Sequence, residues 1–205
     1  MFFAGGLIIL STEKFQLHLF FNSWVGNRSI DSFFKWITHL GDGLLITLIG
    51  TILLLKNFRT GIFILLSYAI SGTITQILKL NFFDEVNRPF FYYSYYNLKL
   101  TIVDGVDMHI HNSFPSGHST AAWALFLGVS LLVKQNTWKL TCIILGMLTS
   151  FSRVYLSQHF FEDIYCGALI GMVFTIWSYS ILYLSPFASK WTFLDKSILH
   201  FFQKK

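Results

Sequence analysis

Charge is what this chain has least of: 12% of its 205 residues are Asp, Glu, Lys or Arg, while 54% are hydrophobic and the mean hydropathy is +0.56. Soluble domains carry about 25% charged residues, so this balance argues against a water-soluble globule. Cysteine is limited to Cys142 and Cys166, both inside apolar runs, which excludes a disulfide framework and a four-ligand zinc site and leaves them as packing residues. The three prolines, Pro89, Pro115 and Pro186, each sit near a predicted helix boundary. Clusters of basic residues are also missing. The net charge is +5, yet the fifteen Lys and Arg residues are scattered singly, which excludes a nucleic-acid partner and assigns the excess to membrane topology. No targeting peptide is expected, because no basic residue precedes the apolar stretch Phe2 to Leu10 and no small-residue cleavage site follows it. With no internal repeat, low-complexity segment or long linker, residues 1–205 read as one domain: N-terminal and interfacial segments over 1–43, a core over 44–184 and a tail over 185–205.

What is present is a set of five apolar runs: Leu44 to Leu55, Thr60 to Leu80, Gly117 to Val133, Trp138 to Phe151 and Ile164 to Leu184. A span needs about 20 residues, so the second and fifth suffice alone and the others must borrow flanking residues. The runs lack the alternation of barrel strands, and backbone in lipid must be satisfied internally, so helices are expected. The fold class is therefore all-α, a polytopic integral membrane helical bundle with five spans. Met1 to Leu10, at about 15 Å of helix, is too short to cross; a half-span, a trimmed helix and an interfacial segment remain open. Thr12 to His39 mixes charge with Phe15, Leu19, Phe20, Trp24, Phe33, Phe34 and Trp36, which suits interfacial helices or a solvated loop.

The short links Lys56 to Arg59 and Lys134 to Thr137, with the tail, share one face. That face carries eight Lys and Arg against the single acid Asp195, and the other carries seven, three of which (Lys79, Arg88, Arg153) have a chemical reason to be there. The positive-inside rule then puts the links and tail in the cytoplasm.

Three neighbourhoods on the outer face concentrate polar groups. In KLNFFDEVNRP, Lys79 ends a span, where snorkelling is the bland explanation, and Arg88 precedes a proline that fixes the chain direction behind a planar cation suited to phosphate. In NSFPSGHST, Pro115, Ser116 and Gly117 look like a helix start whose amides would cradle an anion, with His118 in the first turn. In SRVYLSQHFFED, His159 and Asp163 are four apart, so a helix beginning near His159 would put them on one face, and Arg153 adds a second guanidinium. An ordinary His–Asp pair is the plain alternative. Together these groups equip a site for phosphoryl transfer: cations for the equatorial oxygens, one histidine to attack and the other to protonate the departing oxygen. No metal and no cofactor is called for, because the cations supply the charge. Asp42, in HLGDG, is equally a helix cap or a supporting group, and His109 with His111 lack the spacing of a metal site.

These residues resemble the type 2 phosphatidic acid phosphatase superfamily, which also includes vanadium-dependent haloperoxidases and membrane lipid phosphatases. Its second motif is matched at Pro115, Ser116, Gly117 and His118, and its third at Ser152, Arg153, His159 and Asp163. The first departs, with eight residues rather than six between Lys79 and Arg88-Pro89. The resemblance implies His159 as nucleophile, Asp163 orienting it, His118 as general acid, and Lys79, Arg88, Ser116, Gly117 and Arg153 binding phosphate. It also implies a six-helix bundle, whose sixth helix only the short N-terminal segment could supply, and an active site near the outer bilayer surface. The expected function is a metal-independent membrane lipid phosphatase working through a phosphohistidine. Its substrate would be undecaprenyl pyrophosphate, phosphatidylglycerol phosphate, phosphatidic acid or lipid A phosphate. The expected location is a bacterial inner membrane, the site facing the periplasm or exterior, with the bilayer and the lipid phosphate as partners. The rivals are a transporter, which would place ionisable residues at mid-span, and an inactive lipid binder, which would not require both histidines and Asp163.

Overall fold

The computed structural model describes residues 2–186 and 188–197. Nine α-helices follow one another among them: α1 Phe2–Ser11, α2 Lys14–Asn22, α3 Arg28–Ile37, α4 Gly43–Lys56, α5 Phe58–Asn81, α6 Pro89–Tyr95, α7 Gly117–Leu132, α8 Asn136–Tyr155 and α9 Phe161–Tyr179. A 3-10 turn, Thr38–Gly41, joins α3 to α4, and a π-helical turn, Ser180–Leu184, continues α9. No strand occurs among the described residues. The last eight residues of the expected tail, 198–205, with Lys204 and Lys205, lie outside the described residues.

Each of the five apolar runs is a helix, and some helix starts are set by side chains that satisfy free amides. Asn57 Oδ1 accepts the Thr60 N–H at 2.9 Å at the head of α5, and Asn27 Oδ1 accepts the Ser29 N–H at 3.1 Å before α3. Two helices, Phe58–Asn81 and the continuous Phe161–Leu184, are long and apolar enough to cross a bilayer alone. Arg28–Gly41 and Gly43–Lys56 reach that standard only as a pair bent by 52°. The expected sixth helix exists as α1, but its 10 residues are too few to span. α1 leans on α9, where Gly5 and Gly6 lie against the Tyr165 ring.

The core forms where α4, α5 and α7 meet, through Ile46, Phe63, Ile64, Ala121, Ala122 and Leu125. A smaller cluster of Phe34, Ile37, Val103, Tyr155 and Leu156 anchors α3 and the long 97–112 segment to the end of α8. α7 packs most extensively on α9. The contact depends on Gly167 and Gly171, where any added side chain would be driven into the carbonyl oxygens of Ser116 and Thr120. Small residues four apart let the two helices approach backbone to backbone, and this brings the first turn of α7 beside the first turn of α9.

One sequence expectation changes here. The link before α5 is the single residue Asn57, so Arg59 is a helical residue and not a free link charge. Its guanidinium is buried; Nε and Nη2 donate to Asp195 at 2.7 and 2.9 Å, and further bonds reach the carbonyls of Leu182, Ala188 and Trp191. It straps the tail to the bundle. The aromatic stretch after Pro89 is divided: Tyr93 is buried against His18, while Tyr95 and Tyr96 are exposed.

Candidate active site

His159 does not lie on α9. It sits two residues before that helix, almost wholly buried, and Asp163 reaches it from the third helical position. Asp163 Oδ2 accepts from His159 Nδ1 at 3.2 Å, from the Phe160 N–H at 2.9 Å and from Ser113 Oγ at 2.5 Å. The pair therefore arises from a helix-start carboxylate folding back over its own cap, not from two side chains on one helical face. A carboxylate only accepts, so Nδ1 carries the proton and the lone pair of the imidazole sits on Nε2. Among the described residues Nε2 has no hydrogen-bond partner. Burial first, and then the charges of Arg88, Arg153, Lys79 and His118, hold this imidazole neutral well below its ordinary range. Those causes also show that the structure brings all four groups to one imidazole.

The cations are set by Gln158, a residue the sequence did not single out. Its Oε1 accepts from Arg88 Nη1 at 3.2 Å and from Arg153 Nη2 at 3.5 Å, while its Nε2 donates to the Asp107 carbonyl at 3.0 Å. Arg88 is held further by the His111 carbonyl at 2.9 Å, and Arg153 by Thr38 Oγ1 at 3.0 Å. Arg153 Nε is enclosed without a partner. Lys79 lies within electrostatic reach of both guanidiniums and, among the described residues, has no hydrogen-bond or ion-pair partner. The two extra residues after Lys79 therefore do not remove it from the cluster. Three cations gathered with two carboxylates nearby, Asp163 and Asp42, both already hydrogen-bonded to imidazoles, form an anion site. Arg88 also borders an open pocket of about 400 Å³ lined by Met108, His109, Ile110, His111 and Asn112.

Ser116 and Gly117 divide. Ser116 is the N-cap of α7 and wholly buried, but its N–H donates to the Asp163 carbonyl at 3.0 Å and is not free for an anion. That bond occupies the Ser116 amide and links the two motif segments directly. Gly117 opens the helix with nothing within 4 Å of where a side chain would begin, leaving its first-turn amide approachable. His118 follows in the same turn, and its Nε2 meets Asp42 Oδ1 at 2.9 Å. Ser113, Gln158 and Thr38 are not singled out by the sequence because each has a partner distant along the chain, although Ser113 and Gln158 lie inside the polar stretches already marked. No three His, Cys, Asp or Glu side chains among the described residues gather as metal ligands would.

On the other side of Phe160, α2 packs against the segment that carries His159. His18 is buried, with Nδ1 at 3.2 Å from the Tyr93 hydroxyl and its ring against Phe160, and burial pushes it down to about 4.

Known proteins align with this arrangement. The chain is 27% identical over 134 residues to undecaprenyl-diphosphatase BcrC of Bacillus subtilis (strain 168), an alignment covering 64% of this chain and 63% of that protein. It therefore spans under two thirds of that relative's length. Its fold is similar to the crystal structure of Aquifex aeolicus LpxE, with a TM-score of 0.70, 23% identity and coverage of 83% of this chain and 97% of that one. It is also similar to the transmembrane PAP2 type phosphatidylglycerolphosphate phosphatase from Bacillus subtilis, with a TM-score of 0.67, 20% identity and coverage of 86% and 89%. The family model described as PAP2 superfamily matches residues 60–186, which include every motif residue named above. The chain, an integral membrane protein built of apolar helices, belongs to the PAP2 superfamily.

Proposed function

We propose that the protein is a membrane lipid phosphatase that works through a phosphohistidine at His159. The observation that carries this reading is the convergence of Lys79, Arg88 and Arg153 on an imidazole whose Nδ1 is tied to Asp163 and whose Nε2 is free. Nε2 attacks phosphorus, the three cations and the Gly117 amide hold the charge spread over the phosphoryl oxygens, and His118 protonates the departing oxygen. Water then attacks the phosphohistidine and His118 takes its proton. Because Lys79, Arg153 and Asp163 stand at helix ends and not at mid-span, the arrangement favours a reaction at headgroup level over a transport path.

In this reading the chain crosses the membrane five times, through α4, α5, α7, α8 and α9, with α1 and α2 at the rim. The site opens to the periplasm or exterior of a bacterial inner membrane. Undecaprenyl pyrophosphate is the first candidate substrate, since the sequence relative above is named for that hydrolysis. Phosphatidylglycerol phosphate, phosphatidic acid and lipid A phosphate follow. The test is release of inorganic phosphate from each of the four in detergent with EDTA present. Release from at least one, lost in His159→Ala, supports the reading; silence on all four, or abolition by the chelator, overturns it.

A further inference from the structure

Asp42 lies between two imidazoles. Its Oδ1 meets His118 Nε2 at 2.9 Å, and its Oδ2 meets His39 Nδ1 at 2.8 Å. Asp42 does stand at the N-cap of α4, but its side chain makes no cap hydrogen bond there. The carboxylate is turned away from the helix it begins and toward the start of α7. The approach is built into the fold, because a side chain at Gly41 would meet the His118 carbonyl at 2.9 Å and Thr149 Cγ2 at 3.1 Å. The same 3-10 turn carries Thr38, which holds Arg153. One short turn thus supports both a cation of the site and its second histidine.

We propose that Asp42 is the positioning carboxylate of His118, the counterpart of Asp163 on His159, and that His39 connects this second pair to solvent. The proposal rests on the phosphatase reading given above. An ionised carboxylate at Nε2 leaves Nδ1 as the nitrogen presented to the reacting group. Its carboxylate is the negative charge set against burial and the cations Arg153 and Arg88 on the same ring, and in this proposal it favours the protonated form that donates. The groups that face His118 are Asp42 with His39 behind it, Arg153 of α8, Arg88 of the loop before α6, and His159 before α9. The proton balance closes. When the P–O bond breaks, the Nδ1 proton of His118 goes to the leaving oxygen. When water attacks, the new P–O bond forms, the P–N electrons return to His159, and the water proton restores His118. His39, with 58% of its side chain exposed, lets the pair exchange protons with bulk water between turnovers.

The experiment compares Asp42→Asn, Asp42→Glu and His39→Gln with the wild type on an alkyl lipid phosphate, a poor leaving group, and on p-nitrophenyl phosphate, a good one. General acid catalysis contributes about 10² to 10⁴-fold, so Asp42→Asn should lower kcat on the alkyl ester by about a hundredfold. KM should hold within about twofold, and the aryl ester should lose less than about tenfold. The alkaline limb of the kcat/KM profile should move to lower pH, further in Asp42→Asn than in His39→Gln, with partial recovery in Asp42→Glu. The ratio of the two esters does not depend on the folded fraction, so a poorly folding variant still decides the matter. Equal losses on both esters, or an unmoved alkaline limb, overturn the role of Asp42 while leaving an active wild type as a phosphatase. A wild type that releases no phosphate, or a fully active His159→Ala, overturns the phosphatase reading instead.

Discussion

Ser113 Oγ donates to Asp163 Oδ2 at 2.5 Å while standing 3.4 Å from His159 Nδ1. The hydroxyl is thus a third donor, beside His159 Nδ1 and the Phe160 N–H, on the oxygen that aligns the proposed nucleophile, supplied by a residue 50 positions away in the sequence. The other oxygen, Asp163 Oδ1, is buried without a partner among the described residues, so the carboxylate depends on the bonds to Oδ2. A hydrogen bond to a charged group contributes about 1.5–3 kcal/mol. At about 1.4 kcal/mol per tenfold in rate, Ser113→Ala should lower kcat roughly ten- to a hundredfold with little change in KM. Steady-state kinetics on the preferred lipid phosphate measure it, and an unchanged kcat would remove Ser113 from the site.

Gln158 holds two guanidiniums through one neutral oxygen. Gln158→Glu keeps the shape and adds a negative charge where the phosphate is expected, so inorganic phosphate should inhibit this variant at least about tenfold less well. Gln158→Ala should weaken inhibition by less, because it loosens the cations without neutralising them. Equal inhibition of Gln158→Glu and wild type would place the anion elsewhere.

The acid side of the pH profile follows from His159. Its imidazole is neutral, and so able to attack, through pH 6.5 and well below, because burial and the neighbouring cations depress its protonation. The acid limb of kcat/KM should therefore fall clearly below pH 6.5. Removing a cation relieves part of that depression, so Lys79→Met should shift the limb upward in pH while raising KM. A limb at pH 6.5 that ignores Lys79 would contradict the geometry.

Arg59 predicts stability without catalysis. It fixes the carbonyls of Leu182, Ala188 and Trp191 as well as Asp195, at the end of the bundle opposite the site. Arg59→Ala should lower the thermal midpoint more than Asp195→Ala, since the Asp195 carboxylate is largely exposed and re-solvates when unpaired. Phosphate release by the folded Arg59→Ala protein should match the wild type. A larger effect from Asp195→Ala would reverse the account of the strap.

Much of this arrangement is legible in the amino-acid order, for physical reasons that also mark where legibility ends. Apolar length reveals a bilayer helix, so all five core helices fall on apolar runs, and Ser116 reads as a cap because its side chain acts on its own neighbours. The bond from the Ser116 amide is not legible, because its partner, the Asp163 carbonyl, is brought in only by tertiary packing. Arg59 was counted as a link charge for the same reason: nothing near it in sequence announces Asp195. His159 and Asp163 were paired correctly but for a different local geometry, since spacing four fits a helical face and a folded-back cap alike. Gln158 and Thr38 carry no local signal, because a neutral side chain that orients a cation looks like any polar residue until its partner arrives.

The hydrogen bond from Ser116 to Asp163 fuses the first turn of α7 to the first turn of α9. Two histidine-bearing segments so welded, with glycines 167 and 171 pressing the helices together behind them, form a fixed jaw. The facing segment, residues 82–112, carries Arg88 and is tied to this fixed side through Gln158, which bonds both Arg88 and the Asp107 carbonyl.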